Sequence, residues 1–267
     1  MKKYSEFFIF IFSSILAQVL FANFINTFIA YYPFGTITSY IWWTWSVIAI
    51  CILFSVFVIF KYFQIKDIGI SRILDSSSKG EGSTKNFMNS AKQKVDFMGI
   101  GASKWTKEDL LLRETICRIA STQTGMIRFL LLEPNSEEAE CLSRGQTNGD
   151  DLKIVGDTIN KSLSKLYGII ESAGLLNNSR VEVRLYRQMP VYRLAIIDNK
   201  VAYLSFYKIG RSGENNKQIV IHPGKKQREN DDSIYYGLTE YFESVWNAKT
   251  TKRVKYSQIQ QMKDTEH

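Results

Sequence analysis

The stretch Val181 to Lys208, VEVRLYRQMPVYRLAIIDNKVAYLSFYK, decides the fold. It holds three runs rich in β-branched and aromatic residues: Val181 to Tyr186, Tyr192 to Ile197 and Lys200 to Tyr207. They read as strands, in which successive side chains point to opposite faces. Asp198-Asn199 is a turn-forming pair, so the second and third runs form a hairpin. On the second strand Val191, Arg193, Ala195 and Ile197 share one face, which leaves Arg193 alone among apolar neighbours.

Upstream, two periods alternate. Val95 to Gly101 reads as a strand ending in glycines, and Thr106 followed by Asp109 reads as a capping box for a helix carrying Leu110, Leu111, Ile116 and Ile119. Met126 to Leu132 is apolar on both faces, as a central parallel strand should be. Leu152, Val155, Ile159, Leu163, Leu166 and Ile170 recur at helical spacing, with Gly174 placed to end the helix. Downstream, Gln218 to Ile221 reads as a strand, and Asp232 caps a final helix with Leu238, Tyr241, Phe242, Val245 and Trp246. This alternation predicts an α/β domain over 85–249, with helices on a largely parallel sheet. The small polar residues from Asp75 to Thr84 predict a flexible tether over 64–84, and 250–267 reads as a polar tail.

The N-terminal part obeys another rule. The 54 residues from Phe7 to Phe60 contain no Lys, Arg, Asp, Glu or His, which excludes a purely soluble single domain. About 20 apolar residues cross a bilayer as a helix. The block therefore reads as a transmembrane α-hairpin over 1–63, with spans from Phe7 to about Ile29 and Tyr40 to about Phe63 and a turn at Pro33 and Gly35. Lys2 and Lys3 precede the hairpin and Lys61, Lys66 and Arg72 follow it, which predicts an inner-membrane, multi-pass protein with both termini cytoplasmic. Trp42, Trp43 and Trp45 with nearby tyrosines would form an interfacial belt. A cleaved signal peptide is the competing reading of the first span, and a buried soluble hairpin that of the pair. Gln18, Asn23 and Asn26 would bond between helices or line a polar path in an oligomer.

Cys51, Cys117 and Cys141 have neither disulfide-framework nor zinc spacing, and no cofactor or metal is expected. The net charge of +8 favours an anionic membrane surface. The basic run Lys225, Lys226 and Arg228 lacks interleaved aromatics, so no nucleic-acid partner is expected.

Over Phe87 to Ala248, the order of elements and the stretch from Val181 to Lys208 resemble one half of the phospholipase D superfamily. That family carries His-x-Lys-x4-Asp on a strand, followed by a Gly-Ser-x-x-Asn type segment. Here the lysine position falls on Arg193, the aspartate on Asp198, the histidine on Val191 and the glycine-serine pair on Ser205-Phe206. The resemblance implies a mixed sheet with flanking helices. It also implies phosphate chemistry, but valine supplies neither nucleophile nor acid, so no catalytic residue is assigned. An arginine at 193 would hold a phosphate through two hydrogen bonds. Arg184, Lys208, Arg211 and Asp198 would join it, with Gly101 and Ser103 at a helix start that favours anions and Tyr186 and Tyr192 stacking on a base. Each has a structural reading beside it: Arg184 paired with a carboxylate, the glycines serving packing, Arg193 in an ion pair with Asp198 or Glu182. His222 is either a surface residue or a replacement for the lost histidine.

Two spans followed by a sensor domain resemble membrane effectors of bacterial cyclic-nucleotide anti-phage systems. This implies a homo-oligomer in the inner membrane that binds a phosphorylated ligand, a cyclic nucleotide among the candidates, and so controls membrane disruption by the hairpin. The alternatives are a membrane-bound phosphodiesterase or phospholipid-processing enzyme, and a plain membrane anchor.

Overall fold

Two units divide the chain, 1–64 and 65–267. The computed structural model describes residues 23, 26–27, 45–58, 69–74, 83–147, 151–176, 178–207, 216–223 and 233–254.

In the first unit 45–58 is a helix. Its large apolar side chains are exposed around most of the circumference, among them Trp45, Ile50, Leu53 and Phe54, each about two-thirds exposed. Only Val47, Cys51, Ser55 and Val58, which follow one another at helical spacing, are half-buried. Ser55 donates its hydroxyl to the Cys51 carbonyl at 2.8 Å and Thr27 donates to Asn23 at 2.8 Å, which satisfies both within their own turns. Among the described residues no helix is long and apolar enough to cross a membrane. Most of the two expected spans lies outside the described residues.

The second unit is an α/β domain. Its elements are β1 (Ile70–Leu74), α1 (Thr84–Ser90), β2 (Lys94–Gly99), α2 (Ser103–Thr106), α3 (Asp109–Ala120), β3 (Met126–Leu132), α4 (Glu137–Thr147), α5 (Ile154–Ser172), β4 (Val181–Tyr186), β5 (Tyr192–Ile197), β6 (Val201–Phe206), β7 (Gln218–Ile221), α6 (Ile234–Trp246) and β8 (Lys252–Arg253). The strands form one sheet in the order β1-β7-β6-β5-β2-β3-β4-β8. β2, β3 and β4 are parallel and every other pairing is antiparallel. The sheet is mixed with flanking helices, as the family resemblance implies, and not largely parallel as the alternation of elements by itself suggests. Helical crossovers give parallel neighbours only between β2, β3 and β4, whereas β5 turns directly into β6.

That turn matches expectation. Asp198 and Asn199 both have φ of 53°, the mirror-image turn that suits the twist of a hairpin. Gly174, with φ of 71°, follows the last turn of α5. The capping box does not form. Thr106 ends the one-turn helix α2 and donates its hydroxyl to the Ser103 carbonyl, while α3 starts after Glu108 without a side-chain cap. Asp232 lies outside the described residues, and Ser233 precedes α6.

Both sheet edges come from beyond the expected domain limits. β1 pairs with β7 from inside the stretch read as a tether, and β8 pairs with β4 from inside the stretch read as a tail. Val254 fastens this second edge, its amide donating to the Val183 carbonyl and its carbonyl accepting from the Tyr167 hydroxyl at 3.0 Å.

The helices cover two faces. On one, Trp105 of α2 meets Phe97 and Phe129 edge-on at 5.3 and 5.6 Å, and Phe87 of α1 meets Tyr203 at 4.2 Å. On the other, α6 lays Phe242 and Trp246 against Arg128. Burying such aromatic rings contributes roughly 1.5–3 kcal/mol per side chain.

Candidate functional site

Strand parity sorts the candidate residues before any distance is measured. Arg193 lies on β5 between Val191 and Ala195 in the alternation, and Ala195 is paired with Phe97 and Tyr203. Arg193 therefore lies on the face covered by α1 and α2. Tyr192, its neighbour, points the opposite way, and so do Arg184 and Tyr186 on β4. The cluster expected from the sequence thus divides between two faces.

On the α6 face the charged groups pair with one another, while Arg184 Nε and the Tyr235 hydroxyl have no hydrogen-bond partner among the described residues. Asp96, fully buried, accepts from the Arg128 Nε at 2.6 Å and Nη2 at 2.8 Å, and from the Lys94 ammonium at 3.1 Å. Arg128 also donates to Glu243. Burial works to lower the Arg128 pKa, but its bonds to Asp96 and Glu243 outweigh that and raise it. The Arg128 hydrogen bond holds the Glu243 carboxyl below its usual range. Arg184 donates to the Trp246 carbonyl at 2.9 Å, pairs with Glu182 at 3.1 Å and stacks on the Trp246 ring at 4.3 Å. It braces α6 and is not part of an anion pocket with Arg193. Tyr186 is buried, its hydroxyl donating to the Gly99 carbonyl at 3.3 Å, and Tyr192 packs on Tyr241 and Phe206. Tyr186 presents no open face for a base to stack on. Arg187 is paired with Glu133.

Asp198 is structural. Its carboxylate accepts the backbone amides of Lys92 at 2.9 Å, Gln93 at 2.7 Å and Lys94 at 2.8 Å, which ties the hairpin turn to the start of β2. With its oxygens so occupied it is neither a ligand group nor a partner for Arg193. Gly101 and Ser103 also serve the frame. A Cβ on Gly101 would meet the Ser162 hydroxyl of α5 at 3.1 Å, and that hydroxyl accepts the Ala102 amide at 3.2 Å. α2 has four residues, too few for an anion-binding dipole. Lys208 and Arg211 lie outside the described residues.

Arg193 remains. Among the described residues it has no hydrogen bond and no ion pair, and burial lowers its pKa, opposed by the neighbouring Tyr207 hydroxyl. Across the hairpin it faces Ser205, and across the next pairing Ser205 faces Gln218. Both are buried, and neither the Ser205 hydroxyl nor the Gln218 Oε1 has a hydrogen-bond partner. Tyr207, two residues beyond Ser205, accepts the Ile100 amide at 3.0 Å, and burial raises its pKa against the pull of Arg193. The space for that ring exists because residue 99 is glycine: a Cβ there would meet the Phe97 ring at 2.9 Å and the Tyr207 hydroxyl at 3.0 Å. The arrangement is a half-buried cation beside two buried polar groups, with no counter-charge among the described residues, and its sign suits an anion. Ser205 is legible through parity with Tyr203, but nothing local marks Gln218, which joins the row only through strand pairing.

His222 is exposed, its ring Nδ1 3.0 Å from the Lys200 carbonyl. It lies four residues from Gln218 along the β7 direction, about 13 Å at strand rise. Arg193 and His222 are at opposite ends of the sheet, so His222 does not replace the missing histidine beside Arg193. Among the described residues no group of metal-ligating side chains forms.

No protein-family model matches the chain, and no curated protein matches it either. Several solved structures are similar in part. A phospholipase D family member, Nuc from Salmonella typhimurium, shares 15% identity over 69% of this chain and 98% of its own, with a TM-score of 0.39. Phosphatidylserine synthase from Haemophilus influenzae Rd KW20 shares 10% over 72% of this chain and 44% of its own, at 0.45. The archaeal chromatin protein TrmBL2 shares 8% over 82% and 72%, at 0.43.

Proposed function

We propose that this chain is a membrane-anchored binding protein whose degenerate phospholipase D-like domain takes up a phosphorylated ligand at Arg193. One observation carries the reading: a half-buried guanidinium that has no partner among the described residues, beside a buried serine and glutamine with unpaired polar atoms. Buried polar groups are almost always satisfied, so two unsatisfied ones in a row with the Arg193 cation favour a ligand there. Val191, at the family's histidine position, supplies no nucleophile, which favours binding over turnover.

The N-terminal charge-free block is the output of this reading. Helix 45–58 exposes apolar side chains around most of its surface, as suits a lipid-facing span. Ligand uptake by several copies would hold their hairpins together and control membrane disruption, as in the anti-phage effectors that the plan of the chain resembles.

The test uses the full chain purified in detergent. Thermal-shift measurement against inorganic phosphate and a panel of cyclic nucleotides should show stabilisation by at least one ligand, lost in Arg193→Gln, since binding to the folded state raises its stability. Hydrolysis of phosphodiesters by the wild-type chain would instead support the membrane-bound phosphodiesterase or phospholipid-processing enzyme.

A further inference from the structure

The unpaired groups differ in what they lack, and the difference describes the ligand. Arg193 has only donors to offer, so it calls for an anion. Gln218 leaves its Oε1 unmatched, so it calls for a donor. Ser205, between them, gives or accepts. Direct pairing places the three side by side on neighbouring strands, about 5 Å apart at each step, so the row spans roughly 10 Å. A phosphodiester group by itself carries acceptors alone and would leave the Gln218 Oε1 unmatched. A phosphate ester with hydroxyls beside the phosphate matches the whole row.

We infer that Arg193, Ser205 and Gln218 form one composite site for a hydroxyl-bearing phosphate ester of the sugar-phosphate or ribonucleotide class, in which Gln218 reads the hydroxyl and sets specificity. The inference rests on the anion-binding reading above and adds the chemical class of the ligand. Rejection follows the usual asymmetry: a site built to bond a hydroxyl discriminates against an analogue that lacks it, because the site's own group stays unpaired.

The experiment measures binding of ribose 5-phosphate, methyl phosphate and inorganic phosphate by calorimetry to the full chain in detergent, in wild type, Gln218→Met, Ser205→Ala and Arg193→Gln. The expected result is at least tenfold tighter binding of ribose 5-phosphate than of methyl phosphate in wild type. That ratio should fall to within about threefold in Gln218→Met or Ser205→Ala, and all binding should be lost in Arg193→Gln. Equal affinity of the two esters in wild type, with binding still lost in Arg193→Gln, overturns the hydroxyl-reading role and leaves the anion site standing. Binding of none of the three, or binding indifferent to Arg193→Gln, overturns the anion site and this inference with it. If Gln218→Met does not fold, the wild-type ratio and Ser205→Ala still decide.

Discussion

Arg193 and Ser205 face one another across the β5–β6 pairing, on the face covered by α1 and α2, and neither has a side-chain hydrogen-bond partner among the described residues. Elsewhere in the domain the buried charge Asp96 is matched by Arg128 and Lys94. The two places differ in charge balance: Asp96 is neutralised, whereas Arg193 has no counter-charge among the described residues.

Replacing Arg193 should therefore stabilise the protein while removing its binding. Burial depresses the Arg193 pKa and no carboxylate offsets the cost of desolvation. Arg193→Met is expected to leave the melting temperature unchanged or raise it by a few degrees, about 1 kcal/mol. A melting temperature lowered by several degrees would show that Arg193 holds the fold instead.

Asp198→Ala should do the reverse. It strips the carboxylate from the amides of Lys92, Gln93 and Lys94 and places alanine at a φ of 53°. The expected loss in urea denaturation is roughly 2–4 kcal/mol. Asp198→Asn, which tolerates that backbone and keeps one acceptor oxygen, should lose less. Phosphate affinity of the folded fraction should stay at the wild-type value.

Removing one member of the buried ion group should cost more than removing all of it. Asp96→Ala leaves the Arg128 guanidinium with Glu243 alone and is expected to cost about 3–5 kcal/mol in denaturant melts. Asp96→Leu with Arg128→Met and Glu243→Leu should recover much of that loss. A triple variant no better than the single one would mean that the ion group makes α6 docking possible at all.

Acid should weaken the domain from a defined pH downward. Glu243 and Glu133 have folded pKa values below the ordinary 4.5, because Arg128 and Arg187 respectively hydrogen-bond to them. A depressed carboxyl stabilises above its unfolded pKa, and that contribution is lost as pH falls through the folded one. Melting temperature should be flat from pH 7 to about 5 and fall below about 4.5. Glu133→Gln with Glu243→Gln should flatten that fall.

Domain limits are open to a direct check. A piece spanning 65–254 keeps β1 and β8, whereas one spanning 85–249 exposes the edges of β7 and β4. By size-exclusion chromatography the longer piece should run as one species and the shorter should aggregate, since an uncovered strand edge is a template for pairing.

Much of this was legible locally. A continuous apolar run marked β3, runs of β-branched and aromatic residues marked β4, β5 and β6, and the 3.6-residue apolar stripe marked α5 and α6. The Asp198-Asn199 turn was visible because only a few residues tolerate its backbone. Parity alone also shows that Tyr192 and Arg193 point apart, so two residues of the expected site belong to different faces. The edge strands β1 and β8 carried no such mark: Ile70–Leu74 alternates weakly and Lys252–Arg253 is two exposed cations.

Local pattern thus specified which residues are strands and helices, and which side of its own strand Arg193 occupies. It left open the order of the strands, because pairing depends on contacts between segments far apart in the chain. That order puts Ser205 and then Gln218 beside Arg193, and it sends the Asp198 carboxylate to the amides of Lys92, Gln93 and Lys94. A cation set in a row with two unpaired buried polar groups is a property of their being adjacent, so it exists only once the strands have paired.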